Sequence, residues 1–222
     1  MGIERKDGTS ITIESQLKKS NDTLIIFIGG FSYTINHPIL YYSKSIAKEL
    51  KCDYVGIDYN YSKNTSFLKK PESDQDTYFE EDNVLIKDYI NEISKAYRDI
   101  ILIGKSMGTS IISRLFTDEE IMKNSSFILI TPGTEWDRIL KKIITIENAI
   151  LVIGSMADSN YKIDGLEELH KKQNIKVLEI EGANHILEIG KVDQDIDILK
   201  TVIKTIEEFI IRKIRLTPAS TL

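Results

Sequence analysis

The chain holds few of the residues that cross-link domains or cage metals: of its 222 residues, one is cysteine and three are histidine. Cys52 alone cannot close an intramolecular disulfide, which is compatible with a reducing compartment. So few sulfur and imidazole groups provide no ligand cluster, and neither a metal nor a cofactor is expected. No apolar run approaches the length of a membrane span. The start, Met1-Gly2-Ile3-Glu4-Arg5-Lys6-Asp7, is charged and lacks the apolar stretch of a secretory signal, and Lys6 stands where a myristoylation signal needs Ser or Thr. Positive charge is not in excess either: 29 Lys and Arg face 34 Asp and Glu, a formal net charge of −5. With a pI near 5.4, the chain has no general attraction for nucleic acid or an anionic membrane. No repeat, linker or change in composition divides it. Residues 1–222 are therefore read as a single cytoplasmic domain, large enough to bury a core without disulfides.

What is present is a regular alternation of short apolar runs and longer stretches of helical periodicity. Within an edge segment over 1–20, residues 2 to 15 predict a hairpin turning at Asp7-Gly8. Buried strands are expected at Leu24–Ile28, Tyr54–Asp58, Ile100–Ile103, Phe127–Ile130, Ala149–Ile153 and Lys176–Ile180. Helices are expected over about Pro38–Lys51 and Tyr78–Tyr97, after Met107, after a capping box at Thr134 and Asp137, over Leu166–Lys172 and over Asp195–Ile211. The polar, lysine-rich stretch from Tyr59 to Asp76 reads as a long surface loop, and residues 213–222 as a loose tail. Strands alternating with helices imply an α/β fold, a doubly wound, mostly parallel sheet flanked by helices.

The most informative stretch is Asp99 to Thr109, D-I-I-L-I-G-K-S-M-G-T. A buried strand runs directly into Gly104-Lys105-Ser106-Met107-Gly108, and a helix follows. Gly-x-Ser-x-Gly in that setting is a nucleophile elbow, a turn so sharp that the serine backbone is strained. The letters Gly-Lys-Ser also end a phosphate-binding loop, but its first glycine would fall on Asp99 and the intervening residues are strand. Lys105 itself reads as a surface residue pointing away from the serine.

An activated serine needs a base, and the base needs a carboxylate to hold its tautomer. His185, in the loop after the final strand, is the leading base; His37, before Pro38, and His170, beside two lysines, are the others. Asp158, shortly after Leu151-Val152-Ile153, is the leading acid, with Asp164 next and Asp137 behind it. The chain order Ser106, Asp158, His185 is that of the hydrolases built on open α/β sheets. An oxyanion would be met by the backbone N–H groups of Met107 and of Phe31, after the close-packed turn Gly29-Gly30. All these positions fall at carboxyl ends of strands, where such sheets bind ligands.

On Ile28-Gly29-Gly30-Phe31, the elbow, Gly154-Ser155-Met156-Ala157-Asp158 and Ala183-Asn184-His185, the chain resembles the α/β-hydrolase-fold serine hydrolases. It is most similar to their small capless members, the dienelactone-hydrolase-like and esterase-like ones. Two departures stand out: the oxyanion segment lacks the family's His-Gly start, and Asp158 lies one residue further from its glycine than is usual. The resemblance implies an acyl-enzyme mechanism on a small ester, thioester or amide. A transferase using the same residues and a non-catalytic scaffold are the alternatives. The span between Ile130 and Ala149 has room for one helix, so no cap domain is expected, and Gly30, Tyr33 and Trp136 are the candidate substrate-binding residues.

Overall fold

Successive side chains of a strand point to opposite faces, so an unbroken apolar run must be covered on both sides. The computed structural model, which describes residues 2–19, 22–161 and 166–216, covers them with helices. Strands β1 (Gly2–Glu4), β2 (Ser10–Gln16), β3 (Thr23–Ile28), β4 (Asp53–Asp58), β5 (Asp99–Lys105), β6 (Ser125–Ile130), β7 (Ile150–Gly154) and β8 (Ile175–Glu179) form one sheet. Their order is β1-β2-β4-β3-β5-β6-β7-β8. The six strands from β3 onward are mutually parallel, and β1 and β2 join antiparallel beside β4 as the expected edge hairpin.

The two faces separate by parity. Leu24, Ile26, Ile28, Ile100 and Leu102 face α3 (Glu72–Ser94), α4 (Met107–Leu115) and α6 (Trp136–Ile143). Ile25, Phe27, Ile101 and Ile103 face α1 (Pro38–Glu49) and α8 (Val192–Leu216). Three short helices, α2 (Thr65–Leu68), α5 (Glu119–Lys123) and α7 (Leu166–His170), complete the chain order. Only α6 lies between β6 and β7, so no cap is inserted there. Among the described residues, no helix is long and apolar enough to cross a membrane.

Several expectations need correcting. The stretch 59–76 is not an open loop: it holds a 3-10 turn at Tyr61–Lys63, then α2, and α3 begins at Glu72 rather than Tyr78. The cause is a set of aromatic anchors among the polar residues. Tyr59, Tyr61 and Phe67 are buried, and the Tyr61 and Phe67 rings stack with centroids 4.2 Å apart. Asn64 caps α2 by accepting from the Phe67 N–H. Arg5, from the charged start, is buried against Asp82 of α3 at 2.8 Å and donates to the Tyr59 carbonyl, tying this segment to the edge hairpin. The capping box is absent: Glu135 precedes α6 with no side-chain cap bond, its carboxylate drawn instead to Arg114 and Arg138. Finally, α8 runs on through 213–216, where a tail was expected. The remainder of that tail, 217–222, and the candidate acid Asp164 lie outside the described residues.

Candidate active site

The site is built at the carboxyl end of β5. Ser106 has φ 53 and ψ −116, a conformation that costs a non-glycine residue about 1–3 kcal/mol. Packing holds it there. The Ser106 N–H donates to the Ile130 carbonyl at 2.9 Å, and its own carbonyl accepts from Thr109 at 2.9 Å. The return of the chain requires Gly108, because a Cβ there would stand 2.3 Å from the Ile28 carbonyl oxygen. Helix α4 starts at Met107, so its first N–H groups open beside the serine.

Two loops bring the other groups to Ser106. After β7, the Asp158 N–H bonds back to the Ser155 carbonyl at 3.1 Å, closing a turn. After β8, the Asn184 side chain accepts from the N–H groups of Ile186 and Glu188 and shapes the loop around His185. Ser155 joins the two loops through the Ala183 carbonyl. As a result, His185 Nε2 lies 2.7 Å from Ser106 Oγ, and His185 Nδ1 lies 2.6 Å from Asp158 Oδ2. Asp158 is buried at 3% exposure, and its second oxygen accepts from the Asn160 N–H. Of the alternatives, His37 accepts from the Thr34 N–H and stacks on Tyr33, His170 is exposed at the end of α7, and Asp137 is exposed on α6.

The turn after β3 faces the serine across a short gap. The Gly30 N–H donates to the Tyr33 carbonyl at 2.7 Å, closing the turn, and a Cβ on Gly30 would sit 3.2 Å from the Ser106 Cβ. Asp58 pins the far side by accepting from the Ile35 N–H at 2.9 Å. Among the described residues, no backbone acceptor is found for the N–H groups of Phe31 and Met107.

Lys105 is the principal surprise. Expected on the surface, it is fully buried, lies over the Tyr33 ring with Nζ 4.9 Å from the centroid, and donates to Thr131 Oγ1 and, at 2.8 Å, to the His185 carbonyl. It thereby ties the histidine loop to the end of β6. Burial lowers its pKa to about 7, and the Asp158 carboxylate opposes that shift only in part. A buried cation needs such partners, and nothing in the sequence near Lys105 announces them, since Thr131 and His185 are brought in by other strands. Trp136, a candidate substrate-binding residue in the sequence, is 1% exposed and stacked on Tyr161, packed into the core beneath α6.

Ser106 and Phe31 open onto two clefts. The first, about 620 Å³, is lined by Tyr33, Ile186, Leu187, Val192, Ile196 and Leu199, and by His185. The second, about 580 Å³, is walled by Met107, Gly133, Thr134, Arg114 and Glu135 together with Phe67, from the segment expected to be a loop, and Phe79 of α3. Among the described residues, no group of three or more His, Cys, Asp and Glu is placed to hold a metal ion.

Comparison with known proteins agrees with this architecture. The chain belongs to an alpha/beta hydrolase family: the profile described as alpha/beta hydrolase of unknown function (DUF900) matches residues 5–179. No curated relative matches the sequence. Among solved structures, Est1E from Butyrivibrio proteoclasticus is similar, with a TM-score of 0.68, 14% identity and coverage of 97% of this chain and 98% of that one. A dienelactone hydrolase from Anabaena variabilis has a TM-score of 0.61 at 14% identity, with 96% of each chain covered. At such identities the likeness establishes the shared fold alone.

Proposed function

We propose that the protein is a serine hydrolase that cleaves a carboxylic ester, thioester or small amide through an acyl-enzyme. The observation that carries this reading is the unbroken chain from a backbone-strained Ser106 through His185 to buried Asp158. With Nδ1–H donated to Asp158, the imidazole presents a bare Nε2 to the serine hydroxyl. Ser106 Oγ attacks the acyl carbon as its proton passes to Nε2. The oxygen that gains charge sits against the N–H groups of Phe31 and Met107. Collapse of the intermediate expels the leaving group, which takes the proton from Nε2. Water then repeats the sequence on the acyl-enzyme and frees the acid. Support also comes from relatives of the same fold: Est1E has been solved with ferulic acid bound, and another neighbour is a dienelactone hydrolase. The substrate is a small acyl compound and the setting is cytoplasmic. In the test, Ser106→Ala, His185→Ala and the double variant are compared on an activated ester. Each single variant is expected to lose at least a thousandfold in kcat, and the double variant to be no worse, because the residues act as a unit. Small losses that multiply would overturn the assignment.

A further inference from the structure

The two clefts beside Ser106 differ in chemistry, and the position of His185 decides which half of a substrate enters each. We infer that the apolar cleft receives the leaving-group half, so that the substrate is an ester of an apolar alcohol, or the matching thioester, with a short acyl group. This rests on the serine-hydrolase reading and adds to it the direction in which the substrate lies.

Four groups surround the acyl carbon in the tetrahedral intermediate. One is Ser106 Oγ, and a second is the oxyanion, directed at the N–H groups of Phe31 and Met107. The third is the leaving oxygen or sulfur. When its bond to carbon breaks it takes up the proton that Nε2 received from the serine, so it must lie within hydrogen-bond reach of His185. The acyl substituent takes the remaining direction. His185 lines the first cleft and is absent from the walls of the second, whereas Met107 and Gly133 line the second and are absent from the first. The leaving group is thereby directed towards Ile186, Val192, Ile196 and Leu199, and the acyl group towards Met107 and Thr134.

The character of each wall supplies the substrate class. In the first cleft, Ile186, Val192 and Ile196 are 42%, 77% and 59% exposed, an apolar surface left open on the histidine loop and the first turns of α8. An alkyl or aryl leaving group would cover it. Glu188 and Asp195 also line it, which disfavours an anionic leaving group. The second cleft is mixed: Gln75, Asp76, Glu80, Arg114 and Glu135 line it beside Phe67 and Phe79, and Arg114 is engaged by both Glu80 and Glu135. A long alkyl acyl chain there would strip water from these groups without replacing their hydrogen bonds.

Hexyl acetate and methyl heptanoate are isomers that differ only in the half that carries the chain, which makes them a direct test. Expected is a kcat/KM at least tenfold higher for hexyl acetate, and an Ile196→Asp variant that lowers this ratio at least fivefold. Equal rates, or a preference for methyl heptanoate, would overturn the orientation. Turnover of neither isomer by protein whose Ser106 still reacts with a fluorophosphonate would overturn the substrate class alone. Turnover of neither by protein whose Ser106 stays unmodified would instead remove the hydrolase reading, and the orientation with it.

Discussion

Lys105 offers a prediction that can be worked through from the structure. Its amine is fully buried, and its pKa of about 7 lies far below the ordinary value of 10.5. Below about pH 7 the folded protein must hold a buried ammonium. The gap corresponds to about 4–5 kcal/mol, at about 1.4 kcal/mol for each tenfold change in proton affinity. Between about pH 7 and 10.5 the unfolded chain binds a proton that the folded chain does not, so this group makes stability rise with pH across that window. Lys105→Met keeps the stem and removes the titration. It also leaves buried Thr131 Oγ1 and the partly buried His185 carbonyl without the amine, a pH-independent loss of about 1–3 kcal/mol. Urea unfolding of both proteins at pH 6 and pH 9 separates the two effects. The stability of the wild type relative to the variant should increase by about 2–3 kcal/mol from pH 6 to pH 9. A difference that stays constant, or that moves the other way, would refute the argument.

Other substitutions probe the scaffold of the site. Gly108→Ala places a Cβ against the Ile28 carbonyl, a backbone atom that cannot swing aside, and should cost about 2–3 kcal/mol in thermal denaturation with a corresponding loss of activity. Arg5→Met leaves Asp82 as a buried charge beside Tyr61 and should cost about 3–5 kcal/mol in urea unfolding, most of it recovered when Asp82→Leu is added. Phe67→Ala removes the ring stacked on Tyr61 and packed near Phe31; a loss of about 3–5 kcal/mol is expected, together with a raised KM for esters whose acyl group reaches the second cleft.

The parts of this molecule that were legible in its sequence are those governed by local rules. Leu24–Ile28 and Ile100–Ile103 are apolar at every position because both faces of a parallel strand are buried, and that pattern needs no knowledge of the rest of the fold. Gly104 and Gly108 likewise mark a turn whose geometry excludes side chains. The positions of Asp158 and His185 followed from strand order, since loops at the carboxyl ends of neighbouring strands converge. What escaped was set by tertiary contact. The stretch 59–76 is polar on average, yet Tyr59, Tyr61 and Phe67 join the core cluster that includes Tyr78 of α3. Lys105 sits where a strand end is ordinarily exposed, and its burial depends on the end of β6 and the histidine loop, more than twenty residues away in sequence. Trp136 could equally have faced substrate or sheet until Tyr161 was seen stacked upon it.

The central claim is that Ser106 is an activated nucleophile, and intact-mass measurement after exposure to a fluorophosphonate tests it most directly. The wild type should gain the mass of one adduct, Ser106→Ala none, and His185→Ala should react at least a hundredfold more slowly. A folded wild type that gains no adduct, or an adduct that persists in Ser106→Ala, would contradict the claim.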